Sequence, residues 1–247
     1  GGAQVKPARG WRVTDDAWDD IYRGLEGLWL FNEGSGTIVA DASGHGRHGV
    51  ASSLVPWEPS PSGGMWRNNS GTYRQVGVGG TTATWFPPAE FTMVMSVMVV
   101  QAPNASVGFM GIDQEDSTRA AFIAWSTGGP TEHRYRVGIY STTGASALPA
   151  GLTDIPPVGT MTSVALVYRG TSCELWLQGQ LAAQNTLSGT RFASSAITSP
   201  LWLGAWTNGS VPISSWYNAV DWASLWSRAL SAQEIRRLHE QPPWMVG

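Results

Sequence analysis

The chain has 247 residues, of which only 13% are charged, against about 25% in ordinary soluble domains, and its net charge is -3. That balance gives no electrostatic reason to bind nucleic acid or an anionic membrane. Cys173 is the single cysteine, so no intramolecular disulfide forms. No run of about 18 apolar residues is present to span a bilayer as a helix.

The first 25 residues differ in character from the rest of the chain. Lys6-Pro-Ala-Arg-Gly10 is extended and polar, and the opening residues lack signal-peptide character. Thr14 through Gly24 has the marks of a short helix: Thr14 as N-cap, acids in the first turn, Gly24 as the stop. Residues 1–25 are therefore expected to form an N-terminal arm, and 26–247 one domain. The arm either packs on its own domain or docks onto a partner or neighbouring subunit.

From residue 26 the signals are β. Short apolar or alternating runs succeed one another: Leu28-Trp-Leu-Phe31, Thr37-Ile-Val-Ala40, Tyr73 to Val78, Phe91 to Val100, Val107 to Ile112 and Arg119 to Trp125. The pattern continues at His133 to Tyr140, Met161 to Tyr168, Ser172 to Gln178, Leu201 to Ala205 and Asn218 to Trp226. With Gly, Pro, Asn and Ser between them, the runs predict an all-β antiparallel sandwich. One helix is expected near the end. Ser231-Ala-Gln-Glu234 is a capping box, Ile235 and Leu238 share one face, and Pro242-Pro243 stops it.

Catalytic patterns are scarce. There is no phosphate loop and no Gly-x-Ser-x-Gly elbow. Glycoside hydrolysis requires two carboxylates roughly 5–10 Å apart. The nearest acidic cluster, Asp113-Gln-Glu-Asp116, lies between two apolar runs and reads as a loop tip. The 14 tryptophans are the other lead. Those inside strands, such as Trp29, Trp125, Trp176, Trp202 and Trp222, read as core. Trp57, Trp66, Trp85, Trp206 and Trp216 lie in Gly-, Pro- or Asn-rich segments and are the candidate ligand-binding residues. An exposed indole stacks on a sugar ring or anchors an interface. The alternative is that these rings plug the ends of the sandwich.

Five pieces in order resemble the laminin-G-like, concanavalin-A-like lectin jelly roll. They are Phe31-Asn-Glu-Gly-Ser-Gly36 with Asp41-Ala-Ser-Gly-His-Gly46 and His48-Gly49; Phe91 to Val99; Leu175-Trp-Leu-Gln-Gly-Gln180; Leu201-Trp-Leu-Gly204; and Val220 to Ile235. The resemblance implies a jelly roll whose first and last strands are neighbours. It also implies a structural calcium ion beside those strands, held by Glu33, Asp41 and Asp221. The residues alone permit another reading, in which Asp41 caps its own Asx turn and Asp221 bonds that loop.

Trp57-Glu-Pro-Ser-Pro-Ser-Gly-Gly64 and the Pro243-Trp244 tail are similar to the variant found in phage and prophage structural proteins. That variant implies a non-enzymatic virion-surface component, either capsid decoration or adhesion. Such a component would contact a capsid or tail partner through the arm, form a homo-oligomer, and bind host glycans. A secreted carbohydrate-binding module is the alternative reading, and a glycoside hydrolase the distant one.

Overall fold

The computed structural model describes residues 6–7, 13, 20–51, 57–59, 64–68, 76–80, 83–87, 89–100, 107–113, 119–127, 133–141, 146–147, 159–189, 197–207, 212–213 and 218–245. Among them are eighteen strands. The first six are β1 Leu25–Trp29, β2 Ile38–Val39, β3 Gly49–Ala51, β4 Trp57–Glu58, β5 Met65–Asn68 and β6 Val76–Val78. Then come β7 Glu90–Val99, β8 Val107–Asp113, β9 Arg119–Thr127, β10 His133–Tyr140, β11 Ser146–Ala147 and β12 Thr162–Arg169. The last are β13 Ser172–Leu177, β14 Gln180–Thr186, β15 Leu201–Leu203, β16 Trp206–Thr207, β17 Pro212–Ile213 and β18 Asn218–Trp226. A 3-10 turn at Asp20–Tyr22 precedes β1, and α1 spans Ala232–Glu240. The predicted helix from Thr14 lies mostly outside the described residues.

The long strands form two antiparallel sheets. The first runs β14-β13-β12-β7-β18-β5-β4, with β1 also paired to β18. The second runs β11-β10-β9-β8-β15-β6-β3-β2. Trp29 pairs with Ala223 and Leu25 with Trp226, so the first and last strands are neighbours.

Strand alternation builds the core. Phe91, Met93, Met95 and Val97 of β7 point inward and meet Val137, Ile139, Leu201 and Leu203 of the opposite sheet, all fully buried. The intervening residues of the first sheet are apolar too. Val94, Ala165, Val167, Trp222 and Trp226 point outward, beneath a third layer. That layer is built from Ile21, Leu230, Ile235 and Leu238, which pack together with Leu25 and Leu28 of β1. Each large apolar side chain buried there contributes roughly 1.5–3 kcal/mol. A strand covered on both faces has no polar face to show, which is why β7 reads as almost continuously apolar.

The helix covering this face is capped as expected. Ser231 Oγ accepts the Glu234 amide at 3.3 Å, and Glu234 Oε2 accepts the Ser231 amide at 2.7 Å. Arg228 joins both chain ends. It pairs with Glu234 at 2.5 Å and donates to the carbonyls of Arg23 at 2.6 Å and Asp20 at 2.9 Å. Burial raises the Glu234 carboxyl, but hydrogen bonds from Arg228 and Ser231 outweigh it and bring it to about 2.

Candidate functional site

The carboxylates singled out from the sequence each carry a different structural duty. Asp41 is 1% exposed. Its Oδ1 accepts the amides of Leu28 at 3.1 Å and Ser43 at 2.8 Å, and its Oδ2 accepts that of Arg47 at 2.9 Å. The Ser43 bond is the Asx turn, and the Leu28 bond ties that turn to β1. The Asp41 amide donates to His48 Nδ1 at 3.0 Å, and His45 Nε2 donates to the Leu25 carbonyl at 3.0 Å. Glu33 Oε1 accepts the Ala40 amide at 2.7 Å.

Asp221 faces a cation supplied by the chain itself. Lys6 Nζ lies 2.7 Å from Asp221 Oδ1, with the lysine side chain 1% exposed. Burial pulls the Lys6 ammonium below its ordinary pKa, opposed by the charge and hydrogen bond of Asp221. Calcium takes about six to eight oxygens, several free to turn toward it. Here Asp41 is occupied by amide hydrogens and Asp221 by an ammonium. Among the described residues no three His, Cys, Asp or Glu side chains gather into a metal-binding group. The described residues therefore do not fit the calcium site that the resemblance implied.

The arm reaches its own domain at every described position. Besides Lys6, the Pro7 carbonyl accepts from Asn32 Nδ2 at 2.8 Å, and the Val13 amide donates to Ala42 at 2.8 Å.

The described candidate tryptophans, Trp57, Trp66 and Trp85, do not form one exposed cluster. Trp66 belongs to β5, is fully buried, and stacks on Phe31 with centroids 6.3 Å apart. It is a core residue and offers no face to a ligand. The Asn- and Gly-rich flanks that made it look like a loop residue are the ends of a short strand. Trp57, opposite Trp66 in edge strand β4, is half-buried, and its Nε1 donates to Gly36 at 3.2 Å. That bond ties the edge of the first sheet to the segment entering β2, the edge of the second. Trp85 is also half-buried, with the Arg47 guanidinium 4.3 Å from its ring centre. Arg47 is in turn paired with Glu26 at 2.6 Å. Trp206 lies in β16, its side chain outside the described set; Trp216 and most of the Asp113–Asp116 segment are outside it too.

Among the described tryptophans, a different one occupies the most ligand-like position. In β15, Leu201 and Leu203 are fully buried, so Trp202 between them points away from the core. Its cross-strand neighbours are Gly77 on one side and Gly111 on the other. Neither has a side chain to crowd the ring. The indole leans over Gly77, where an added Cβ would stand 3.1 Å from Trp202 Cζ3. The same row continues through Val50 and Ile38, which are 55% and 46% exposed. The outward face of the second sheet thus carries a half-buried indole beside an apolar strip. Reading Trp202 as core overlooked its spacing. Leu-Trp-Leu cannot send all three side chains inward, and the flanking leucines outrank it for the core.

Residues 68–236 match the family model for the concanavalin A-like lectin/glucanases superfamily, and the chain belongs to that family. No curated protein matches it in sequence. The binding domain of Paraclostridial Mosquitocidal Protein 1 is similar in structure, with TM-score 0.66 at 13% identity over 89% of this chain and 52% of that one. Domain 4 of an extracellular GH43 arabinanase from Geobacillus stearothermophilus, in complex with arabinotriose, gives 0.61 at 14% identity, over 87% and 98% of the two chains. A Trypanosoma rangeli sialidase mutant displaying trans-sialidase activity gives 0.64 at 19%, covering 91% of this chain and 34% of that one. The chain spans about a third of the length of the sialidases it resembles. These likenesses concern the fold.

Proposed function

We propose that the chain is a non-catalytic carbohydrate-recognition module that binds a glycan across Trp202 on the outward face of the second sheet. The observation that carries this reading is the placement of that indole: outward, half-buried, and flanked by glycine in both adjacent strands. An outward indole with glycine opposite it in both neighbouring strands is a stacking surface for a sugar ring. The arabinotriose-bound arabinanase domain supports the reading, since it shares the fold and carries a bound oligosaccharide.

The carboxylates support the non-catalytic part. A glycosidase keeps one carboxyl protonated and a second ionised across the scissile bond. Among the described residues, Glu26, Glu58, Glu174, Asp221 and Glu234 are each paired with a cation. Asp41 and Glu33 accept backbone amides.

An assembly role on an extracellular or virion surface is the second reading. The arm's described residues bind the chain's own body, so a partner would instead use the exposed Ile38 and Val50 pair. The two readings separate in one experiment. Affinity electrophoresis through a panel of arabinan, sialylated and neutral polysaccharides should retard the wild type. Trp202→Ala should weaken retention at least about tenfold while Trp57→Ala leaves it near wild type. Wild-type binding that survives Trp202→Ala unchanged would displace the site. No retardation by any of the panel, together with a stable oligomer, would favour assembly.

A further inference from the structure

Strand β18 changes partner halfway along its length. Asn218 to Val220 pair with β5, and Ala223 to Trp226 pair with β1. Between them the register slips by one residue, and the pairing with β7 skips Asp221. A bulge of this kind re-aims a side chain and interrupts the ladder. The first sheet therefore has a gap between the start of β5 and the end of β1, and Asp221 sits at it.

Lys6 fills that gap. Its ammonium has three N–H donors. One goes to Asp221 Oδ1 at 2.7 Å, one to the Asp221 carbonyl at 2.6 Å, and one to the carbonyl of Gly64, the residue before β5. The Trp244 ring lies 5.9 Å from the nitrogen and Glu33 adds its field. One carboxylate and two backbone carbonyls around a buried positive charge are the donor types a hard metal ion takes. The cation present is the chain's own.

We propose that Lys6 is the resident cation of this seam, and that it holds β18, β5 and the arm together in place of a divalent metal. Removing one partner of a buried, hydrogen-bonded ion pair leaves the other uncompensated. The site left behind keeps Asp221 and both carbonyls facing one another, ready for an added cation. The test is thermal unfolding of wild type, Lys6→Ala, and Lys6→Ala with Asp221→Asn, each with EDTA and with millimolar calcium. The wild-type midpoint should be the same in both solutions. Lys6→Ala should melt about 10 °C lower in EDTA and recover much of that in calcium. The double variant should show no calcium response. The proposal fails if Lys6→Ala melts like wild type, or if calcium shifts it no more than wild type. It fails equally if calcium stabilises the wild type through Asp221. Should Lys6→Ala not fold in EDTA, refolding in calcium decides: folding supports the proposal, and no folding overturns it.

Discussion

Gly204, immediately after β15, should be among the least replaceable residues in the chain. Its φ is +76°, and its amide donates to Phe109 at 2.6 Å, so the backbone is held in place. A Cβ there would stand 1.5 Å from Cζ3 and 1.8 Å from Cη2 of Trp66. Trp66 is fully buried and stacked on Phe31, so the ring has no free volume to enter. The positive φ alone costs about 1–2 kcal/mol for an L-residue. Displacing the indole adds a loss comparable to deleting a core aromatic, about 3–5 kcal/mol. The sum, about 4–7 kcal/mol, is comparable to the whole stability of a domain at the low end of the usual range of about 5–15 kcal/mol. Gly34 is the internal control: its φ is +70° and an added Cβ meets nothing within 4 Å. Urea unfolding followed by tryptophan fluorescence should place Gly34→Ala about 1–2 kcal/mol below wild type. Gly204→Ala should fall about 4–7 kcal/mol below wild type in the same assay. Equal stabilities for the two variants would refute the packing argument and leave only the backbone term.

Asp41→Ala should cost about 2–4 kcal/mol, because the amides of Leu28, Ser43 and Arg47 lose their shared acceptor. A change below about 0.5 kcal/mol in the same unfolding assay would mean that water serves those amides as well. Glu234 makes a prediction about acid. Its folded pKa is depressed, from 4.5 to about 2, so its stabilisation is complete above pH 4.5 and is lost as pH falls toward 2. The group is partly solvent-exposed, so solvent screening holds the effect to about 1 kcal/mol. Thermal melts across that interval should fall more steeply for wild type than for Glu234→Gln, and parallel slopes would remove the capping box as the cause.

The features set by local chemistry could be read from the sequence. The capping box at Ser231 and Glu234 and the turn at Asp41-Ala-Ser-Gly44 each follow from residue types within a few positions, whereas the pairing of the first and last strands is implied by the family resemblance. What depended on distant parts of the chain could not. Nothing near Lys6 signals that its ammonium enters the gap between β5 and β1 beside Asp221, 215 residues further along the chain. Nor does the neighbourhood of Trp66 show that β15 will press Gly204 against its ring. Trp202 lies between these extremes. Its outward direction follows from the alternation Leu201-Trp202-Leu203, but its glycine neighbours come from β6 and β8 and are known only once the strand order is.

The most direct test of glycan recognition is an NMR titration of the indole Nε1–H resonances. Trp202→Phe assigns its own peak by absence. Adding the oligosaccharide form of the best-retained polysaccharide should shift the Trp202 indole first and furthest, while the core indoles of Trp29 and Trp66 stay put. Shifts centred on Trp57 or Trp85, with Trp202 unmoved, would contradict the assignment of the binding face to the second sheet.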